Sequence, residues 1–103
     1  MDIDERYVNG KIYKIVCNET GEVYYGSTRV ILKERIRKHR YSNGCRSRQI
    51  IDRNNYYYEL IEDYSCNNKY ELETRELWYI LNNKCINKKK PIRTIQEYYQ
   101  QNK

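Results

Sequence analysis

Two short runs rich in β-branched and aromatic residues, separated by a single polar turn, constrain this chain more than any other stretch. They are Lys11-Ile-Tyr-Lys-Ile-Val-Cys17 and Val23-Tyr-Tyr-Gly-Ser-Thr28, with Asn18-Glu19-Thr20-Gly21 at the tip. Such runs favour extended backbone, and an Asx/Gly turn between them predicts a β-hairpin, with strands over about 10–17 and 22–27. In an antiparallel pair, facing positions have a constant sum, and side chains alternate between faces. A four-residue turn leaves an even number unpaired, with Gly21 available for a left-handed position. The register then puts Tyr13 and Tyr24 on the same face. Downstream, Arg35 and His39 stand four apart on a basic helical stretch, one turn above the other.

The rest of the chain reads as one small domain, residues 1–103. Thr28 is the expected N-cap of the first helix, which buries Leu32 and Ile36 and ends near Tyr41, before Ser-Asn-Gly. A short helix over about 46–53 stops at Asn54-Asn55. Tyr56 to Tyr64 reads as a third strand, its imperfect alternation compatible with a buried central position. The longest helix is expected over 69–82, with Leu72, Leu77, Trp78, Ile80 and Leu81 as its apolar stripe, and a final helix over about 93–101. The fold class is therefore α/β in the α+β sense: a three-stranded, mainly antiparallel sheet flanked by helices.

Composition narrows the partners. The formal net charge is +6, which fits a polyanion, nucleic acid before an acidic membrane. The aromatic mass is 13 Tyr and one Trp with no Phe, and tyrosine needs a partner for its hydroxyl, so many of these rings should line the surface or a groove. Cys17, Cys45, Cys66 and Cys85 lack the close spacing of a zinc knuckle and read as small core or surface residues. The opening Met-Asp-Ile-Asp-Glu-Arg has no apolar core of a secretory leader, and no apolar run reaches membrane-spanning length. An intracellular setting, in cytoplasm or nucleus, is the expectation.

Lys11-Ile12-Tyr13 and Tyr24-Tyr25-Gly26 resemble the two signature triplets of the GIY-YIG nuclease family. The resemblance continues through Leu32-x-x-Arg35-x-x-x-His39, Arg75-Glu76-x-Trp78-x-Ile80, Cys85-x-Asn87 and Pro91-Ile-Arg93, so it covers about residues 10–93. Lys11 stands where the family has glycine, and Tyr25 where it has isoleucine. The resemblance implies a divalent-metal-dependent DNA endonuclease that hydrolyses phosphodiester bonds to 5′-phosphate and 3′-hydroxyl ends, nicking as a monomer or cutting both strands as a homodimer. Its low intrinsic sequence specificity would follow from the lack of a visible specificity domain. The implied site is Tyr13, Tyr24, Arg35, His39, Glu76 and Asn87.

In that site Glu76 is the ligand for Mg²⁺ or Mn²⁺, hard ions suited to carboxylate and water oxygens. Arg35 meets charge growing on the scissile phosphate. Tyr13 takes a proton from the attacking water, with Arg35 and His39 lowering the cost, and Tyr24 orients water or phosphate. Asn87 bonds the phosphate or positions Glu76. DNA tracking falls to Arg29, Lys33, Lys38, Arg40, Arg46 and Arg48, and to Lys88, Lys89 and Lys90, all able to neutralise phosphates. A free-standing version of this size and composition suggests a virus or mobile element. Structural alternatives stand beside these roles: packing for the hairpin tyrosines, a bridge from Glu76 to Arg75 or Arg35, a solvated face for the lysines. Tyr56, Tyr57 and Tyr58 could stack on bases, though a buried strand is the more economical account. A catalytically silent DNA-binding module of the same fold is the alternative function.

Overall fold

The computed structural model describes residues 3–41 and 46–87. A 3₁₀ turn, Glu5–Asn9, leads into β1 (Lys11–Cys17), β2 (Val23–Thr28), α1 (Leu32–His39), α2 (Arg48–Ile51), β3 (Tyr56–Asp63) and α3 (Lys69–Asn82). The molecule is a small α+β domain with one antiparallel sheet of three strands in the order β2-β1-β3. The expected final helix, Cys45 and Lys88, Lys89 and Lys90 lie outside the described residues.

The hairpin closes as the turn chemistry requires. Tyr13 faces Gly26 and Ile15 faces Tyr24. The Cys17 N–H donates to the Glu22 carbonyl at 2.9 Å, so residues 18–21 form the tip, and Gly21 adopts φ 77. A left-handed residue at this point costs glycine nothing sterically. Tyr13, Ile15, Tyr24 and Gly26 consequently share one face, as the even loop predicted.

The central strand is β1, not β3. Expected as a candidate for the buried centre, β3 instead forms an edge and leaves Tyr57, Tyr58 and Leu60 exposed. Its pairing with β1 slips between Ile12 and Tyr13, since Ile12 faces Glu62 whereas Tyr13 faces Leu60, and Ile61 is the extra residue of a bulge. The buried residues Ile12, Tyr13, Ile15, Val16 and Cys17, interrupted by Lys14, belong to β1, the strand covered on both faces.

Each face has its own core. On one, Tyr13, Ile15 and Cys17 pack with Ile36 of α1 and Ile50 and Ile51 of α2. On the other, Tyr25 packs with Leu77 and Ile80 of α3. Helix α1 begins one turn later than its expected cap. Thr28 is the last residue of β2, and its hydroxyl accepts the Val30 N–H at 3.1 Å, a local turn that competes with capping. Helix α3 matches its expected bounds. Its N-cap Asn68 accepts the Glu71 N–H at 3.0 Å, and the Glu71 carboxylate accepts the Asn67 N–H at 2.9 Å, a reciprocal arrangement akin to a capping box.

One ion pair ties α3 to the far edge of the sheet. Arg75 donates to both Glu62 oxygens, at 2.7 and 3.0 Å, while its guanidinium lies 4.8 Å from the Trp78 ring centre and 5.2 Å from that of Tyr79. Bidentate geometry and aromatic faces make this stronger than an ordinary surface pair. The Arg75 bonds hold the Glu62 carboxyl below its ordinary range. A depressed folded-state value means stabilisation present above the ordinary carboxylate pKa and lost as pH falls through the folded value. Glu62→Gln should therefore lower stability by about 1–2 kcal/mol near neutrality. In thermal melts, the gap between wild type and variant should close below pH 4.5, the ordinary value; a gap that holds constant in acid would contradict this role.

Candidate active site

Tyr13 and His39 form the centre of the site. The Tyr13 hydroxyl lies 2.6 Å from His39 Nε2, and His39 Nδ1 lies 2.7 Å from the Ser47 hydroxyl. All three residues are buried, with Tyr13 at 0% exposure and His39 at 1%. A neutral imidazole donates from one nitrogen and accepts at the other, so the two tautomers run this chain in opposite directions. The Tyr24 ring meets His39 edge-on, centres 5.6 Å apart, and Tyr24 is only half-buried. Arg35, one helical turn before His39 on α1, is also half-buried.

Gly26 makes this packing possible. It faces Tyr13 across the hairpin, and a Cβ there would overlap the Tyr13 ring and hydroxyl. The Tyr13 side chain thus crosses over β2 at Gly26, reaching from the central strand toward the sheet edge.

Glu76 comes from the opposite side. Its carboxylate accepts a hydrogen bond from the Ser27 hydroxyl. Because Gly26 and Ser27 are neighbours on a strand, they show opposite faces, so Glu76 stands below the sheet where Tyr13, Tyr24 and His39 stand above it. The candidate residues therefore straddle the edge strand β2 at Gly26-Ser27, with Tyr13, Tyr24 and His39 on one face and Glu76 on the other. Arg75 pairs with Glu62. Glu73, one turn earlier on α3, is half-buried, and burial pushes its carboxyl above the ordinary range.

Asn87 is bonded to the backbone of β2. Its Oδ1 accepts the Tyr25 N–H at 2.9 Å and its Nδ2 donates to the Tyr25 carbonyl at 2.7 Å. The Ile86 N–H donates to the Val23 carbonyl at 2.8 Å. The side-chain amide thus imitates a peptide unit and continues a row of bonds along the outer edge of β2. Ser27 occupies the next outward-facing position in that row, so the clasp stops one step short of the residue that holds Glu76.

Of the expected DNA-tracking residues, Lys33, Lys38, Arg40 and Arg46 are exposed. The Arg29 guanidinium sits 5.7 Å from the Tyr7 ring centre. Arg48 donates to the Arg40 carbonyl at 2.8 Å and pairs with Asp52, which fastens the end of α1 to α2. Two residues escaped the sequence reading: Ser47, behind His39, and Ser27, behind Glu76. Ser27 carried a signal, since it directly follows the second triplet, but Ser47 carried none.

No family model, curated protein or solved structure matches the chain. A chain of hydroxyl, imidazole and hydroxyl can relay or fix a proton, an arginine can neutralise an anion, and a carboxylate can hold a cation. Among the described residues, no group of three or more His, Cys, Asp or Glu side chains comes together to hold a metal ion. The donor set at Glu76 is one carboxylate beside a serine hydroxyl, which fits a hydrated Mg²⁺ completed by water and phosphate oxygens rather than a closed protein cage.

Gly26→Ala tests the packing. The added methyl has no space unless the Tyr13 ring shifts, so stability should fall by about 1–3 kcal/mol, as overpacking does. Tyr13→Phe on the Gly26→Ala background should not restore it, because the ring carbons clash as well as the hydroxyl. Asn87→Asp removes the donor to the Tyr25 carbonyl and sets a carboxylate against it, and a loss of about 1–3 kcal/mol is expected. Denaturant midpoints measure both, and an unchanged midpoint for Asn87→Asp would remove the clasp from the account.

Proposed function

We propose that this chain is a GIY-YIG-type endonuclease that hydrolyses DNA phosphodiester bonds with Mg²⁺ or Mn²⁺. The observation that carries this reading is the Tyr13–His39 hydrogen bond, made over Gly26, between residues drawn from the two triplets and the helix that follows them. The net charge of +6 and the exposed Lys33, Lys38, Arg40 and Arg46 support an anionic polymer as substrate.

In this reading the scissile phosphate docks at the outer edge of β2 beside Gly26-Ser27. Arg35 approaches from above the sheet and neutralises the charge that grows on the phosphoryl oxygens. Glu76, steadied by Ser27, is the residue that would hold the cation, which would supply Lewis acidity toward the departing 3′ oxygen.

The role first expected of Tyr13 moves to its neighbour. A fully enclosed hydroxyl does not meet the attacking water, whereas Tyr24, edge-on to His39, is half-buried. Tyr24 is thus the better candidate for contact with water, and Tyr13 and Ser47 are positioning residues that set the His39 ring.

The alternative, a catalytically silent DNA-binding module, draws on the same enclosure, because Tyr13, His39 and Ser47 satisfy one another without a substrate. Conversion of supercoiled plasmid to open circles separates the two. Wild type should nick in Mg²⁺, and Glu76→Ala should not. Arg35→Ala should slow nicking by about 100-fold or more while DNA affinity changes little. Absence of nicking by wild type in Mg²⁺ or Mn²⁺ across the pH range would leave the binding module.

A further inference from the structure

Across β1 from the candidate site, at the β3 edge of the sheet, lies a cleft of about 420 Å³ lined by Arg40, Asn54, Tyr56, Tyr57 and Tyr58. The turn from α2 into β3 shapes it, with Asn54 at φ 54 reversing the chain. Tyr56 packs against the core, but Tyr57 and Tyr58 have no buried-strand explanation, since β3 is an edge and they are 44% and 41% exposed. Natural edge strands are usually blunted by charge or proline, not lined with aromatic rings.

Tyr56 and Tyr58 face Cys17 and Ile15, so they lie on the Tyr13 side of the sheet. Arg40 follows His39 directly, and its guanidinium donates to the Tyr56 hydroxyl at 3.2 and 3.3 Å. That contact holds an exposed cation at the cleft instead of letting it sweep through solvent. Aromatic faces with a fixed guanidinium are the pairing that unpaired nucleotides require: rings stack on bases of any sequence, and arginine takes the phosphate. A base inside an intact duplex offers no free face to such a cleft.

We infer that this cleft binds unpaired nucleotides of DNA, so that the chain acts on DNA carrying a single-stranded segment next to the duplex. The inference rests on the nuclease reading only for the scission site, which lies across β1 at the β2 edge of the same sheet. Base stacking by Tyr58, the most exposed ring on that face, provides the selectivity, and Arg40 provides the anion contact.

Binding without cleavage tests it. The full chain, in chelator and at fixed salt, is titrated by fluorescence anisotropy with a labelled single-stranded DNA, its blunt duplex and the RNA strand of the same sequence. Wild type should prefer the single DNA strand over the duplex by about tenfold or more. Tyr58→Ala should erase about tenfold of single-strand affinity and leave duplex affinity within about twofold, Tyr58→Phe should retain the preference, and Arg40→Gln should reduce it. Equal loss on both DNA forms, a Phe variant that behaves like Ala, no single-strand preference in wild type, or tighter binding of the RNA strand would each overturn the inference. Because no bond is cut in this titration, its outcome is independent of whether the plasmid is nicked.

Discussion

The hydrogen bond between Tyr13 and His39, with Gly26 beneath it, is the contact on which the arrangement of the site depends. It joins the central strand to the end of α1 across the width of β2. A tyrosine hydroxyl and an imidazole enclosed in an apolar core are costly unless each finds a partner, and here each does. Ser47 completes the chain from α2. The central strand, the end of α1 and the start of α2 are thus locked by two short polar contacts, within a core otherwise built from isoleucines and a cysteine.

Around this lock, the edge strand β2 becomes the place where chemistry can assemble. Strand alternation sends Tyr24 and Gly26 one way and Tyr25 and Ser27 the other. Helices α1 and α3 therefore reach the same short stretch from opposite faces, which explains how His39 and Glu76 can both border it without sharing a core. The clasp by Ile86 and Asn87 occupies the first two outward-facing positions of that edge. An edge strand normally invites pairing with another chain, and here part of it is covered from within.

The far edge follows a different logic. Glu62 and Arg75 fix the C-terminal end of β3 to α3 through a bidentate pair bedded on Trp78 and Tyr79. The N-terminal end carries the tyrosines and opens toward Arg40. One strand is thus anchored at one end and presents an aromatic surface at the other. Stability and recognition are separated along its length.

Local chemistry made the hairpin, its tip, the shared face of Tyr13 and Tyr24 and the bounds of α3 legible in the sequence, because turn residues, side-chain alternation and capping act over a few residues. The start of α1 was misread because a threonine before a helix can cap it or close its own turn, and only the backbone path chooses. Strand order lay beyond reach too, since Tyr56 to Tyr64 and Lys11 to Cys17 both read as β, and which is central depends on what covers each face. The same holds for the site. The family resemblance nominated Tyr13, His39, Glu76 and Asn87, whereas packing alone decided that Tyr13 is enclosed, that Glu76 stands across the sheet, and that the Asn87 amide bonds Tyr25. Residue types and spacing follow from covalent order; burial and partners depend on contacts between distant segments, which only the folded chain brings together.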